Sequence, residues 1–472
     1  MSGARLRDFI KAYDVRGLVP EQLDAAVCRA LGSAFAQVVA IPEGAHGVVV
    51  GHDMRPSSPE LSRAFAAGVS AHGVEVTHIG LASTDQLYFA SGSLDLPGAM
   101  FTASHNPARY NGIKLCRAAA RPVGTGTGLE EVRDLAQWLI DRAGVHDVPG
   151  ADQPGTVRET DLLEDYADFL HGLVDLAPIR PLRVVIDAGN GMAGHTVPAV
   201  LQRPGLSLEV VPLYFELDGT FPNHEANPLE PANLRDLQQA VREHRADLGL
   251  AFDGDADRCF VVDQRGEPVS PSVVTALVAA REIDREVARG VPADQVTVVH
   301  NAICSRTVPE VIGERGARAV RARVGHSFVK ARMAEHEAVF GGEHSAHYYF
   351  RDFWYADTGM LAALHVLAAL GGQDGSLSDL VAGYDRYLAS GELNSRVEDV
   401  RAATDRVRSW GERRGATADQ LDGLILVHEE EPMWWLSLRP SNTEPLLRLN
   451  VEARDAATMQ QVRDTVLGLV RR

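Results

Sequence analysis

Residues 47–58 read GVVVGHDMRPSS, a short β-branched run that ends in a polar loop and leads into a helical stretch. Eight more runs along the chain repeat this order: VEVTHIG (74–80), GAMFTA (98–103), RVVI (183–186), LEVVPLYF (208–215), LGLAF (248–252), VTVVH (296–300), ARAVRARV (317–324) and VFGG (339–342). Apolar runs of this kind are typical of buried parallel strands, and the helical stretches between them supply the crossovers. The pattern predicts three related α/β units.

The pattern changes after Leu388. A helical stretch is followed by the strand-like runs DGLILVHEE (422–430), MWWLSLRP (433–440) and LLRLNVEAR (446–454), then by a last amphipathic helix. Strands that pair with helices on one face indicate a small α+β domain. The fold class that we predict is α/β, with mixed, mainly parallel sheets in domains 1–153, 154–265 and 266–388 and a smaller α+β domain at 389–472.

The composition indicates a folded, multidomain chain. It has 472 residues, of which 45% are hydrophobic, and its 46 basic against 64 acidic residues give a net charge of −18. Such a charge disfavours attraction to nucleic-acid phosphates or anionic membranes, so we expect neither partner. No apolar run approaches the ~18 residues of a membrane span, and the N-terminus has no apolar signal core, which predicts a cytoplasmic protein. The four scattered cysteines are typical of reduced core thiols.

Chemistry in open α/β sheets is found at the carboxyl ends of the strands, where the polar loops of this chain fall. The first candidate is FTASHNP (101–107), which presents the Ser104 hydroxyl at a strand end beside His105 and Asn106. An ordinary Ser/Asn turn is the alternative for this segment. It does not match the Gly-x-Ser-x-Gly elbow of esterases, so the sequence does not support esterase chemistry.

The second candidate is Asp253-Gly-Asp-Ala-Asp-Arg258, whose carboxylates Asp253, Asp255 and Asp257 repel one another unless a cation is bound. Hard carboxylate oxygens on a short loop suit Mg²⁺ or Ca²⁺. Arg258 and Gln264 stand where an EF-hand needs Gly and Glu, so the pattern favours a partly open, catalytic divalent site. A solvated acidic turn is the alternative, which the apolar runs on both sides disfavour.

The third candidate is Gly-Gly-Glu-His-Ser-Ala-His (341–347), in which Glu343, Ser345 and His347 alternate. A strand-like loop would direct all three side chains the same way, as a polar face that could grip adjacent hydroxyls of a sugar. His326 adds another histidine at a strand end, although a single histidine is more often structural.

The fourth candidate is Arg439-Pro-Ser-Asn-Thr443, between the last two strands. The Arg439 guanidinium, the hydroxyls of Ser441 and Thr443, the Asn442 amide and the N–H groups of the turn would together form an anion cradle. The alternative is a β-turn whose arginine points to solvent.

Gly189, Gly191 and Gly194 match the dinucleotide-binding pattern Gly-x-Gly-x-x-Gly, which keeps an NAD-binding oxidoreductase open as an alternative. The acidic residue that this pattern needs would be Glu209, which is poorly placed, or Glu216. The sequence contains no Walker loop, so ATP is not the expected phosphate donor. A nucleophilic serine, a divalent-cation site and an anion cradle without a nucleotide loop fit phosphoryl transfer through a phosphoserine.

These loops, in this order, resemble those of the α-D-phosphohexomutase family, whose members interconvert 6-phospho and 1-phospho hexoses. The resemblance extends from Lys11-Ala-Tyr-Asp-Val-Arg-Gly17 to the Arg439 loop. It implies four domains around a central cleft, a transferable phosphoryl group on Ser104, and a hexose 1,6-bisphosphate as intermediate and activator. The implied ligands of Mg²⁺ are the phosphoserine oxygen of Ser104 with Asp253, Asp255 and Asp257.

The same resemblance implies roles for the other loops. The implied contacts to the sugar hydroxyls are Glu343, Ser345 and His347. The implied contacts to the non-reacting phosphate are Arg439, Ser441, Asn442 and Thr443. Further implied residues of the cleft are Tyr13, Arg16, His105, Lys114, Arg258 and His326. Among them, Lys114, His105 and His326 are all candidates for the general base.

The form Gly-Glu-His-Ser-Ala-His resembles the phosphomannomutase and dual phosphomannomutase/phosphoglucomutase branch of the family. We therefore expect mannose 6-phosphate and mannose 1-phosphate as substrates, with glucose or glucosamine phosphates as alternatives. Family members often carry Lys where this chain has Ile303, so a cationic substrate contact is either missing or supplied by Arg306. We expect a small phosphosugar as the partner and a monomer or weak dimer as the assembly.

Overall fold

A computed structural model describes residues 5–10, 13–143, 151–440 and 446–472. The chain forms two compact units, each of which is built from two separate stretches of the sequence. Unit 1 consists of Met1–Val269 with Ser345–Leu380, and unit 2 consists of Ser270–His344 with Val381–Arg472. Among the described residues, no helix combines the length and the apolar character needed to cross a membrane.

The first sheet of unit 1 has six strands in the order β1-β5-β4-β2-β3-β6. These strands are β1 (Val15–Leu18), β2 (Gly47–His52), β3 (Glu75–Leu81), β4 (Gly98–Phe101), β5 (Tyr110–Cys116) and β6 (Val157–Glu159). The helices of this segment are α1 (Ala25–Phe35), α2 (Ser58–Ser70), α3 (Thr84–Leu94) and α4 (Leu129–Ala143). Strands β2, β3, β4 and β6 are parallel, whereas β5 is antiparallel to β4 and β1. Strand β6, which follows residue 153 in the chain, pairs with β3 at the edge of this sheet.

The second sheet of unit 1 has the order β11-β10-β9-β7-β8. Its strands are β7 (Leu182–Asp187), β8 (Leu208–Leu213), β9 (Leu248–Phe252), β10 (Cys259–Asp263) and β11 (Pro268–Val269), and its helices are α5 (Leu163–Leu173), α6 (Ala193–Leu201) and α7 (Arg235–His244). Strands β7, β8 and β9 are parallel, and β9 and β10 form an antiparallel hairpin. The acidic loop 253–258 is the turn of that hairpin.

The third α/β segment contributes to both units. Unit 2 contains α8 (Pro271–Ala288), β12 (Thr297–Asn301), α9 (Thr307–Glu314), β13 (Arg318–Ala322), α10 (His326–Glu335) and β14 (Phe340–Gly342). Strand β12 pairs in parallel with β13 on one side and with β14 on the other. The antiparallel pair β15 (Tyr348–Phe350) and β16 (Ala356–Asp357) and the helix α11 (Gly359–Gly371) belong to unit 1, and α12 (Leu377–Ala382) leads back to unit 2.

The C-terminal segment of unit 2 is an antiparallel sheet in the order β17-β22-β21-β20-β19, with β18 also beside β22. Its elements are β17 (Leu388–Ala389), β18 (Leu393–Arg396), α13 (Val400–Glu412), β19 (Thr417–Asp419), β20 (Leu424–His428), β21 (Trp434–Pro440), β22 (Leu446–Ala453) and α14 (Ala456–Val470). The side chains of Val407, Leu436 and Val466 share one buried core, so both helices cover the same sheet. The prediction of three α/β domains and a smaller α+β domain is confirmed.

Several of these helices begin with a side-chain cap, at the point where a strand-end loop leads into the helix. The Ser83 hydroxyl accepts a hydrogen bond from Gln86 N at α3, and the Thr358 hydroxyl accepts one from Leu361 N at α11. Such caps satisfy backbone N–H groups that have no partner within the helix. The polar loops thereby hold the helix starts and the strand ends close together.

Candidate active site

Ser104 lies just after β4, at the carboxyl end of the first sheet. Only 4% of the residue is exposed, and its backbone has a φ of +48°, in the left-handed region that side chains rarely adopt. The Ser104 hydroxyl donates a hydrogen bond of 2.8 Å to Oδ2 of Asp253 and lies 3.0 Å from Nδ1 of His105. The loop therefore directs a nearly buried hydroxyl at the acidic turn of the second sheet.

The three carboxylates of that turn form one cluster. Oxygen atoms of Asp253, Asp255 and Asp257 all lie within 4.8 Å of one another, and all three residues are buried. Lys114 Nζ, on β5, donates to Oδ2 of Asp255 at 2.7 Å and to Oδ2 of Asp257 at 2.5 Å. Arg258 donates through Nε and Nη2 to Oδ2 of Asp253 at 2.9 and 2.7 Å. Two cations thus face three carboxylates.

The donor set of this cluster fits a divalent cation. Within the described part of the chain, Oδ1 of Asp255 and Oδ1 of Asp257 are buried and have no hydrogen-bond partner. A buried carboxylate oxygen without a partner is costly, and a bound cation would remove that cost. Hard oxygen donors and the net negative charge suit Mg²⁺ better than a softer metal.

The cluster also controls the protonation of its members. Burial raises the pKa of Asp253, which Arg258 only partly offsets. Burial also opposes the ionisation of Asp257, but Lys114 and His347 outweigh it and lower the pKa of Asp257 to about 2. For Lys114, burial is outweighed by Asp255 and Asp257, which raise its pKa well above the usual value. In this arrangement Lys114 is an ammonium group that stabilises negative charge.

His105 is a neutral imidazole in this arrangement. Burial, followed by the charges of Arg258 and Arg16, lowers the pKa of His105 to about 2. Its Nδ1 lies 2.5 Å from Arg258 Nη2 and 3.0 Å from the Ser104 hydroxyl oxygen. Because the Arg258 guanidinium can only donate, Nδ1 acts as a hydrogen-bond acceptor beside Ser104, whose single hydroxyl proton goes to Asp253.

Arg16, on β1, contacts the loop that carries Ser104. Its Nη1 donates to the carbonyl oxygen of Ala103 at 2.8 Å and to Oδ1 of Asn106. Its Nε donates to Asp14 at 2.9 Å. Tyr13, immediately before this strand, is half-buried. The structure thus brings Ser104, His105, Lys114, Arg16 and Arg258 together around the acidic turn.

The predicted sugar-binding segment is not the strand that the alternation suggested. Residues 344–346 form a turn and a bend, and Ala346 has a φ of +65°, so the period-2 argument for Glu343, Ser345 and His347 is wrong. In unit 1, Nδ1 of His347 lies 3.0 Å from the Ser345 hydroxyl, and its Nε2 lies 3.7 Å from Oδ1 of Asp257. Both residues therefore border the acidic turn.

The remaining predicted residues belong to unit 2. Oε1 of Glu343 accepts hydrogen bonds from Asn301 Nδ2 at 3.1 Å and from Gly325 N at 2.9 Å, next to His326 at the start of α10. Three strand-end loops of unit 2 therefore meet at Glu343. Arg439 is the last residue but one of β21, and Ser441, Asn442 and Thr443 lie outside the described residues. Arg439 Nη2 is 3.4 Å from Glu392.

Family members often carry a lysine at the position of Ile303. Arg306 does not supply a free cation in its place. Its Nε donates to Glu310 at 3.0 Å and its Nη2 donates to Glu429 at 2.6 Å. Ile303 is itself buried, with 9% of its surface exposed. In this structure, the charge of Arg306 is compensated by two carboxylates.

The glycines of the dinucleotide-like pattern have a packing role. A Cβ on Gly191 would lie 2.7 Å from the carbonyl oxygen of Gly254, within the acidic turn, and a Cβ on Gly194 would lie 2.2 Å from that of Phe215. Met192 N also donates to the Gly254 carbonyl at 2.9 Å. Close approach of the loop after β7 to the acidic turn therefore explains this pattern without a nucleotide.

Sequence reasoning identified the strand-end loops but missed two residues within them. The Thr84 hydroxyl, in the segment LASTDQ (81–86) at the end of β3, donates to Oδ2 of Asp255 at 2.6 Å. Arg55, from GHDMRPSS, donates to the carbonyl oxygen of Ser104 at 2.8 Å. Their positions at strand ends were the available signal, but only the fold shows that they face the acidic turn and the serine loop.

Comparison with known proteins gives a consistent result over the whole chain. Four protein-family models match it, described as Phosphoglucomutase/phosphomannomutase alpha/beta/alpha domains I, II and III and C-terminal domain, over residues 7–136, 164–266, 272–387 and 392–469. A phosphomannomutase of Escherichia coli is 37% identical over 472 residues, covering 98% of each chain. A protein of Xanthomonas campestris named Phosphohexose mutases is 40% identical over 465 residues, also covering 98% of each. The crystal structure of a phosphoglucomutase/phosphomannomutase family protein from Burkholderia thailandensis superposes with a TM-score of 0.85 at 30% identity, covering 100% of this chain and 98% of that one.

Proposed function

The chain belongs to the phosphoglucomutase/phosphomannomutase family and is a phosphohexose mutase of the isomerase class, and we propose that it interconverts mannose 6-phosphate and mannose 1-phosphate. The names of the relatives and the Gly-Glu-His-Ser-Ala-His segment support mannose as the sugar. Phosphoglucomutase and phosphoglucosamine mutase activities are the alternatives within the family. The proposal includes a cytoplasmic enzyme, acting on a small phosphosugar as a monomer or weak dimer.

The observation that carries the mechanism is the 2.8 Å hydrogen bond from the Ser104 hydroxyl to Asp253 in the buried carboxylate cluster. A phosphoryl group on Ser104 Oγ would lie beside this carboxylate cluster. When a sugar hydroxyl attacks it, a new P–O bond forms to the sugar while the bond to Ser104 Oγ breaks. A general base takes the proton of the attacking hydroxyl, and Ser104 Oγ is protonated as it leaves.

This first half-reaction gives a hexose 1,6-bisphosphate. After the intermediate turns around, Ser104 takes the other phosphoryl group, so the enzyme regains its phosphoserine and the product keeps one phosphate. The distal phosphate site is therefore used in both orientations. In the proposal this site consists of Arg439, Ser441, Asn442 and Thr443. The sugar hydroxyls contact Glu343, Ser345 and His347, Tyr13 is a further binding residue, and His326 is a catalytic residue.

Charge stabilisation is the main task of the remaining residues, because phosphoryl transfer depends chiefly on alignment and electrostatics. Asp253, Asp255 and Asp257, with a phosphoserine oxygen, would hold Mg²⁺, which neutralises charge on the transferred group. Arg258, Lys114 and Arg16 supply fixed positive charge beside Ser104. Of the three candidates for the general base, Lys114 is kept protonated by Asp255 and Asp257, so the proposal gives it the charge-stabilising role and leaves His105 and His326 for the base.

A comparison of rates with mannose, glucose and glucosamine 1-phosphates tests the substrate assignment. Each rate is measured with a hexose 1,6-bisphosphate as activator, and mannose 1-phosphate should give the highest kcat/KM. Ser104→Ala should lose all three activities by roughly four orders of magnitude, since it lacks the nucleophile. Ser93→Ala, which changes an exposed serine of α3, is the matched control and should be fully active. Higher kcat/KM with another sugar would overturn the mannose assignment, and an active Ser104→Ala enzyme would overturn the phosphoserine.

A further inference from the structure

Arg55, in the loop after β2, is a buried cation whose five side-chain N–H groups all have acceptors. Its side chain is fully buried, and four of its N–H groups donate to backbone carbonyl oxygens of the segment that carries Ser104. These bonds are Nη2 to Ser104 at 2.8 Å, Nη2 to Asn106 at 2.7 Å, Nη1 to Pro107 at 3.0 Å and Nη1 to Tyr110 at 2.9 Å. The guanidinium group therefore holds the loop between β4 and β5 at four points.

The guanidinium is itself fixed from both sides. Its fifth N–H, on Nε, donates to Oδ2 of Asp53 at 3.2 Å, and Oδ1 of Asp53 accepts from the Ser58 hydroxyl at 2.6 Å. The ring of Phe221, from the second sheet's segment, lies 5.2 Å from the guanidinium carbon. Because all five N–H groups are used, rotation of the group would break several hydrogen bonds at once.

Ser104, whose carbonyl oxygen accepts a hydrogen bond from Arg55, has an unfavourable backbone conformation. Ser104 has a φ of +48°, in the left-handed region, which is strained for a residue other than glycine. A strained conformation persists only where surrounding contacts determine it. The bond from Arg55 to the Ser104 carbonyl acts on the same residue whose hydroxyl reaches Asp253 at 2.8 Å.

We propose that Arg55 is a positioning residue for phosphoryl transfer, which keeps Ser104 in its left-handed conformation and its hydroxyl directed at the carboxylate cluster. The proposal rests on the proposed function of Ser104 as phosphoryl carrier. Arg55 contacts no reacting atom, because its bonds go to carbonyl oxygens and to Asp53. Its effect is on alignment, on which phosphoryl transfer depends strongly.

Arg55→Lys is the direct test. Lysine keeps the positive charge but has three N–H groups on a single nitrogen atom. It therefore cannot donate hydrogen bonds to four carbonyl oxygens that lie apart from one another. We expect kcat to fall by about 100-fold while KM for the sugar phosphate changes less than about threefold, because the substrate contacts are untouched. Phosphoserine formation from a hexose 1,6-bisphosphate, followed by intact mass, should slow by the same factor.

Arg180→Lys is the matched control. Arg180 also donates to several backbone carbonyl oxygens, those of Pro181, Gln373 and Gly375, and to Asp247, but none of them belongs to the Ser104 loop. We expect the midpoint of thermal unfolding to fall in both Arg55→Lys and Arg180→Lys. The kcat should fall only in Arg55→Lys and should be unchanged in Arg180→Lys. Comparison of the two separates loss of alignment from general loss of stability.

Asp53→Asn is the second variant, used if Arg55→Lys does not fold. Its amide would leave Nε of Arg55 facing another donor, so we expect a smaller fall of kcat, about tenfold, at nearly constant KM. A kcat within threefold of the wild-type value in whichever variant folds would overturn the role of Arg55. If the wild-type chain itself formed no phosphoserine, the proposed function would fail instead, so the two failures are distinguishable.

Discussion

At the scale of single residues, the site depends on side chains that are far apart in the sequence. Ser104 and Asp253 are 149 positions apart, and Lys114 reaches Asp255 across 141 positions. The local patterns of Ser104 and of the three carboxylates are unusual, so the sequence predicted both as site residues, and the structure brings them together. The sequence could not identify the bond from Thr84 to Asp255, since a threonine in a strand-end loop has no pattern of its own.

Asp255→Asn tests the cation site. The substitution removes one negative charge while keeping the shape, so we expect the Mg²⁺ concentration for half-maximal activity to rise at least about tenfold and kcat to fall roughly 100-fold. Calorimetric titration with Mg²⁺ gives a readout that is independent of turnover. Asp236→Asn, at an exposed position of α7, is the control. Equal Mg²⁺ affinity in Asp255→Asn and wild type would contradict the assignment of Asp255 as a ligand.

At the scale of elements, the sequence predicted the parallel strands well and the turns less well. All nine apolar runs are strands, because β-branched and other apolar residues favour a pleated, packed surface. Burial on both faces is not required, since the edge strands β8 and β13 are largely half-buried or exposed. The 343–347 segment was misjudged as strand-like. The left-handed Ala346, with a φ of +65°, depends on its surroundings, which the alternation of polar residues does not reveal.

Gly191→Ala tests the packing of the loop after β7 against the acidic turn. The new Cβ would lie 2.7 Å from the Gly254 carbonyl oxygen, so the turn must shift. We expect a loss of about 1–3 kcal/mol of stability and a weaker response to Mg²⁺. Gly172→Ala in α5 has open space around the new Cβ, and alanine favours helices, so this control should be at least as stable as wild type. Unchanged stability and Mg²⁺ response in Gly191→Ala would show that the close contact is unimportant.

At the scale of the whole molecule, the candidate residues are shared between two compact units. Unit 1 contains Ser104, the carboxylate cluster and His347, whereas unit 2 contains Glu343, His326 and Arg439. The proposed function therefore assigns roles to residues of both units.

The acid stability of the molecule should depend on His78. Burial, and then the neighbouring His52, lowers the pKa of His78 to about 4. The unfolded chain then binds more protons than the folded chain between pH ~6.5 and ~4. The contribution of neutral His78 is fully present above pH ~6.5 and is lost as the pH falls to ~4. In His78→Gln, which keeps polar atoms near Ser62 and Gly80, the midpoint of thermal unfolding should fall less steeply over this range. An identical slope in both proteins would contradict this assignment.

The mass of the intact protein after incubation with a hexose 1,6-bisphosphate tests the central claim most directly. We predict an increase of about 80 Da, as expected for a single phosphoserine, located on Ser104 by peptide mapping and removed when excess sugar monophosphate is added. Ser104→Ala should show no increase. An unmodified wild-type mass, or a phosphoryl group on another residue that turns over at the catalytic rate, would contradict the account.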